Sequence, residues 1–187
     1  MPPKVKTTRE EIINTAFEIV RQSGEQFLNA RTIAKALNCS TQPVFSNFAS
    51  MNELRLAVVE KADALCKEFA KREVESGKFP PYKAHGMAYI RFAKEEKELF
   101  KLLYMRDRTE ELSQKEAERD EQMESLIREN IGISGNAVSL FHLENWAYVH
   151  GIATMFATGY FDIEWELVSK MLSDCYLGLK AQYEKGE

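Results

Sequence analysis

Apolar residues return at three- and four-residue intervals through most of this chain, and that interval predicts helices. Thr8-Arg9-Glu10-Glu11 is a capping box, a threonine and a glutamate three residues on that satisfy each other's end groups. The first helix follows to about Ser23, with Ile12, Ile13, Ala16, Phe17 and Val20 on its apolar side and Gly24 as its stop. Phe27 and Leu28 are expected to pack beneath the helices that come next. Ser50-Met51-Asn52-Glu53 is a second capping box. It opens a fourth helix to about Glu75, on which Leu54, Ala57, Val58, Lys61, Ala62, Leu65 and Phe69 keep near-helical register. At the standard rise such a helix reaches roughly 35 Å, enough to carry a displacement from a head into a body. Ser76-Gly77-Lys78-Phe79-Pro80-Pro81 breaks it, since glycine and a proline pair punctuate strongly.

Downstream, Met87, Tyr89, Ile90, Phe92 and Ala93 mark a fifth helix over about Tyr82 to Lys94. Glu95-Glu96-Lys97 reads as a polar joint before a sixth, about Glu98 to Met105, bearing Leu99, Phe100, Leu102 and Leu103. Asp107 to Glu121 is dense in charge and fits either a solvated helix or a loop; Met123, Leu126 and Ile127 then restore an apolar face. An eighth helix, about Asn136 to Thr158, is apolar around most of its circumference and must be covered on more than one side, by its own core and by a partner. Gly159 and Asp162 mark a corner, with Asp162 as the expected cap of a ninth helix from about Ile163 to Tyr183. The prediction is an all-α protein: a three-helix head over residues 1–50 and a helical body over 51–187, joined by helix 4.

The most informative stretch is Leu28 to Phe48, two short helices around a tight turn. Asn29 is placed to cap the first, because its side-chain oxygen can accept from a free backbone N–H. Asn38 tolerates the left-handed backbone that a helix end often needs. Ser40 is the expected cap of the second helix, and Pro43 sits in its first turn, where a missing N–H is harmless. Val44, Phe45 and Phe48 are its expected apolar anchor, leaving Thr41, Gln42, Ser46 and Asn47 outward. Short polar side chains on the leading turn of a second helix suit base edges in a major groove.

Charge changes this picture only slightly. The net charge is −4, which argues against a general nucleic-acid binder. Residues 1–50, however, hold six Lys/Arg (Lys4, Lys6, Arg9, Arg21, Arg31, Lys35) against four Glu (Glu10, Glu11, Glu18, Glu25), a local +2 that leaves −6 elsewhere. A mildly basic head on an acidic body fits DNA binding at one end. Lys4 and Lys6 suit a basic arm along a phosphate backbone, or simply a frayed terminus. Cys39, Cys66 and Cys175 are isolated and read as small apolar residues in a reducing cytoplasm. No signal peptide or membrane span is expected.

The Leu28–Phe48 stretch resembles the helix-turn-helix of TetR-type transcriptional regulators. The matching features are Gly24, the Arg31-Thr32-Ile33-Ala34 run, Cys39-Ser40 at the turn, and Phe45-Ser46-Asn47-Phe48 followed by Ser50-Met51-Asn52-Glu53-Leu54. The likeness covers about the first sixty residues. Three positions depart from it: Phe45 replaces the usual tyrosine, Asn38 the usual glycine, and Met51 a common lysine, so two phosphate contacts are lost. Trp146-Ala147-Tyr148-Val149-His150-Gly151 is similar to the body of one subgroup. The resemblance implies a ligand-responsive regulator, most simply a repressor, that dimerises through its last two helices and places helix 3 in the major groove of a palindromic operator. Gln42 and Asn47 would then meet adenine, and Thr41 and Pro43 a thymine methyl; Arg31, Ser40, Phe45 (by its backbone), Lys4 and Lys6 would lie nearer phosphate, with Ser46 on the same outward face. It also implies a body pocket for a small organic ligand. Tyr89, Phe92, Phe100, Leu103, Tyr104, Trp146, His150 and Met155 combine apolar bulk with polar tips, and are equally what a plain aromatic core would contain.

No catalytic set is expected: the chain holds no GxSxG elbow, no phosphate-cradling glycine loop and no HExxH pair. Among His85, His142 and His150, the latter two fall on one helix about 12 Å apart along its axis, too far to share one metal. No cofactor is implied. The alternative reading is a helical small-molecule-binding or protein-interaction module that does not bind DNA, because fold-level likeness does not establish function.

Overall fold

A computed structural model describes residues 7–106 and 114–184, with side chains from residue 121 onward in the second range. All regular structure among these residues is helical: α1 Arg9–Ser23, α2 Ala30–Ala36, α3 Gln42–Asn47, α4 Met51–Glu75, α5 Pro81–Glu95, α6 Lys97–Tyr104, α7 Gln114–Ile131, α8 Asn136–Thr158 and α9 Trp165–Tyr183, with a 3₁₀ turn at Glu25–Phe27. Of the charged stretch 107–121, residues 114–121 are helical and the rest lies outside the described residues. Lys4 and Lys6 lie outside them too. The chain divides into two compact units, Met1–Lys67 with Glu96–Arg106, and Glu68–Glu95 with Asp107–Glu187.

The local signals set the element ends of the first unit. Thr8 accepts from the Glu11 N–H at 3.1 Å while the Glu11 carboxylate accepts from the Thr8 N–H at 2.7 Å. Gly24 stops α1 at φ 94°, where a side chain would be strained. Asn29 caps α2 through Thr32 N–H at 3.0 Å, and Asn38 takes φ 50° at the turn. Ser50 caps α4 through Glu53 N–H at 3.1 Å. Ile12, Ala16, Val20, Ile33, Val44, Leu54 and Val58 form the buried core.

Two expectations fail here. Phe27 is 50 % exposed rather than packed beneath the helices. The joint Glu95-Glu96-Lys97 is not simply polar surface. Glu96 is buried, with its carboxylate gripped by Arg21, whose Nε donates to Oε2 at 2.7 Å and whose Nη2 donates to Oε1. That pair seats α6 against α1. The Arg21 guanidinium is held above its usual pKa, chiefly by its hydrogen bond to Glu96.

In the second unit α5 packs chiefly on α8. Tyr82 meets His142 Nδ1 at 3.0 Å and Tyr89 meets His150 Nδ1 at 2.9 Å, so the two helices run in the same direction with matched spacing. Gly86 lies between these pairs, and a Cβ there would come within 3.1 Å of Leu172 Cδ2 on α9 and 3.5 Å of Val149 on α8. A hydrogen in place of a methyl therefore lets three helices meet. Ile127, Val138 and Phe141 form a core that Tyr82, Tyr176 and Tyr183 surround, with Phe141 edge-on to Tyr176 and Tyr183 at 5.5 and 5.4 Å. Gly159 ends α8 in the left-handed region at φ 70°. The expected cap of α9 is corrected: Glu164 occupies that position without a side-chain bond, and Asp162 pairs with Lys94 at 2.5 Å. No helix among the described residues is long and apolar enough to cross a membrane.

Candidate functional site

Helix α3 holds six residues, too few to be stable on their own. Its position is set by what it buries. Val44 and Phe48 go into the head core, 1 % and 3 % exposed. Phe45 does not join them as expected, and is 59 % exposed. The reason is angular: Val44 and Phe48 share a face one turn apart, and Phe45 stands about 100° round from Val44. Gln42 and Ser46 are exposed, and Thr41, Pro43 and Asn47 are half-buried. The outward surface of α3 is thus Gln42, Phe45 and Ser46, two polar side chains beside an aromatic ring.

The start of α3 also departs from expectation. Thr41, not Ser40, is the cap residue, with helical backbone (φ −73°, ψ −12°) and no side-chain hydrogen bond. Its carbonyl accepts from Val44 N–H at 3.1 Å, and Pro43 removes one N–H that would otherwise need a partner. Ser40 is exposed and its carbonyl accepts from the Cys39 thiol at 3.2 Å. Asn47 turns its amide back onto α3, donating from Nδ2 to Pro43 O at 2.8 Å. Arg31 is exposed on α2.

Two basic residues near the helix-turn-helix are already matched by carboxylates. Arg9 donates from Nη1 to Asn47 O at 2.6 Å, pairs through Nη2 with Glu53 at 3.0 Å, and lies 4.0 Å over the Phe48 ring. Glu53 is held below the usual carboxylate range, first by the Ala49 N–H it accepts at 2.7 Å and then by Arg9. Arg55 is ion-paired with Glu25 beside Met51, where the two line a small open cleft with Leu28 and Asn52. Sequence reading did not find the Arg9 contacts, because its partners lie 38 and more positions away.

The residues expected to line a ligand pocket fall in both units. Phe100, Leu103 and Tyr104 are on α6 in the first, where Phe100 packs on Tyr104 at 5.1 Å and the Tyr104 hydroxyl meets Cys66 Sγ at 3.4 Å. Tyr89, Phe92, Trp146, His150 and Met155 are in the second. There Tyr89, His150 and Trp146 come together: the Trp146 indole stacks on the His150 ring at 4.9 Å and 12°, and the Tyr89 hydroxyl meets its Nδ1. Burial pushes the His150 pKa down. Phe92 does not join this group; it is fully buried edge-on to Phe69 at 5.4 Å. Met155 is exposed further along α8. Among the described residues no cluster of His, Cys, Asp or Glu gathers as a metal-binding group.

Residues 82–173 match the family model described as Tetracyclin repressor-like, C-terminal domain. The whole chain is similar to the crystal structure of a TetR-like transcriptional regulator from Rhodococcus sp. RHA1, with a TM-score of 0.68, 14 % identity and 100 % of each chain covered. At that identity the likeness establishes the fold. Comparison with curated proteins gives no match.

Proposed function

We propose that this chain, TetR-like by the match of its residues 82–173, is a ligand-responsive repressor binding a palindromic operator as a homodimer. Residues 1–50 act as the DNA-binding head and 51–187 as the ligand-binding and dimerisation body. The observation that carries this reading is the outward face of α3, where Gln42, Phe45 and Ser46 are exposed while Val44 and Phe48 lock the helix to its core. Gln42 can make a bidentate contact with adenine, and the exposed Phe45 ring suits a thymine methyl. Asn47 reaches a base edge by turning away from Pro43. Thr41, Pro43, Ser40, Arg31, Lys4 and Lys6 complete the contact surface, nearer the backbone.

Dimerisation through α8 and α9 is supported by the apolar side chains they expose. Leu140, Leu143, Tyr148 and Met155 on α8, with Leu167 and Leu177 on α9, are each more than a third exposed. Two-fold pairing of such helices makes a four-helix bundle. The Tyr89–His150–Trp146 group is the best candidate for ligand contact, since it joins aromatic surface to two polar tips. A ligand releases DNA only if it binds more tightly to a dimer whose heads are wrongly spaced.

The test is selection of a duplex from a random-sequence library, followed by titration. Gln42→Ala is expected to relax preference at one base pair of each half-site, with Asn47→Ala weaker. Failure of the wild-type protein to enrich any palindrome would favour the module that does not bind DNA.

A further inference from the structure

We propose that Arg9 is the positioning residue of α3: it touches no nucleic acid itself but holds the angle at which Gln42, Phe45 and Ser46 are presented. The inference rests on the operator-binding reading above. Helix α3 has no side-chain cap at its start, and its six residues supply little stability of their own. Its other end carries backbone carbonyls that no turn of α3 can satisfy. The Arg9 guanidinium takes one of these, Asn47 O, at 2.6 Å. A cation at a helix carboxyl end also opposes the partial negative charge there.

The same guanidinium reaches two further anchors. Its second arm pairs with Glu53 at 3.0 Å, and its plane lies 4.0 Å over Phe48, a buried residue of the head core. Glu53 is in turn tied to Ala49 N–H at 2.7 Å and, through its own N–H, to the Ser50 hydroxyl at 3.1 Å. One planar group from the first turn of α1 therefore fastens the last turn of α3 to the first turn of α4. Its positive charge faces the Glu53 carboxylate. An ammonium cannot reproduce this, because a lysine offers a point charge and not two diverging arms on a stacking plane.

This separates Arg9 from a phosphate-binding arginine by experiment. Arg9→Lys and Arg9→Gln are each titrated with the duplex selected by the wild-type protein and with a scrambled duplex, over a series of salt concentrations. Both variants are expected to lose about tenfold in affinity for the selected duplex, the scale of one charged hydrogen bond. Affinity for the scrambled duplex and the salt slope should stay at wild-type values. In the free protein, amide exchange at Phe45 to Phe48 should accelerate in both variants while that of α1 is unchanged. A salt slope lower by about 0.9 in Arg9→Gln would make Arg9 a phosphate contact and overturn the proposal. So would full preference in Arg9→Lys, since charge alone would then suffice. Should the wild-type protein select no duplex, the operator reading fails by itself. Amide exchange then decides the case, with unchanged protection at α3 counting against Arg9.

Discussion

The two units share charged seams, with Arg91–Glu73 and Lys94–Asp162 in the second, but differ in what is added to them. In the first, the seams between elements are arginine–carboxylate contacts: Arg9 with Glu53, Arg21 with Glu96, and Arg55 with Glu25. In the second, aromatic rings meet across the seams: Tyr82 with His142, Tyr89 with His150, and Phe141 with Tyr176 and Tyr183. A guanidinium fork fixes direction as well as distance and needs little buried area. Ring seams instead gain stability in proportion to the area they bury. The contacts of the first unit thus chiefly fix direction, and the ring contacts of the second chiefly fill volume.

Four measurements test this contrast, and both tryptophans, Trp146 and Trp165, lie in the second unit, so their fluorescence reports on it alone. Phe141→Ala should have the largest effect, costing about 3–5 kcal/mol by leaving a cavity at a fully buried ring. It should shift urea unfolding followed by tryptophan fluorescence; a shift under about 1 kcal/mol would mean that the tyrosines collapse into the space. Arg21→Ala comes next, at about 2 kcal/mol, because it strands the buried Glu96 carboxylate; the loss is held down because Arg21 is itself 41 % exposed. Circular dichroism should follow this loss more closely than fluorescence does, and equal shifts in both would refute a separate charged seam. Asn29→Ala should cost about 1 kcal/mol through loss of the α2 cap, again seen by circular dichroism.

The smallest effect is a pH slope. Burial lowers the His150 pKa below its unfolded value, so the unfolded chain binds the proton more readily. The contribution of this residue is then fully present above the unfolded pKa, near 6.5, and is lost as pH falls through the folded value. His150→Gln should flatten stability against pH on the acid side of neutrality in the fluorescence transition. An unchanged slope would show that His150 does not titrate with unfolding.

Much of the fold was legible from residues a few positions apart. Thr8 with Glu11, Gly24, Asn29 with Thr32, Asn38, Ser50 with Glu53, and Gly159 each act over one turn, and the structure bears out each as a helix end. Where these local signals had competitors from afar they misled. Asp162 could cap α9, but Lys94 offered a charged partner from 68 positions away. Ser40 could cap α3, but the helix starts one residue later than that cap requires. Phe45 looked like an anchor because it is large and apolar; the face of α3 was already taken by Val44 and Phe48.

What the amino-acid order determined by itself is therefore the succession of helices and their ends, because capping, glycine and apolar spacing depend on neighbours within one or two turns. What tertiary structure alone decided is which side chains meet: Arg9 with Asn47 across 38 positions, Arg21 with Glu96 across 75, Tyr89 with His150 across 61. Such meetings depend on how helices cross, and nothing in the residues between two partners encodes a crossing angle. The first of them holds the end of α3, whose Gln42, Phe45 and Ser46 face outward.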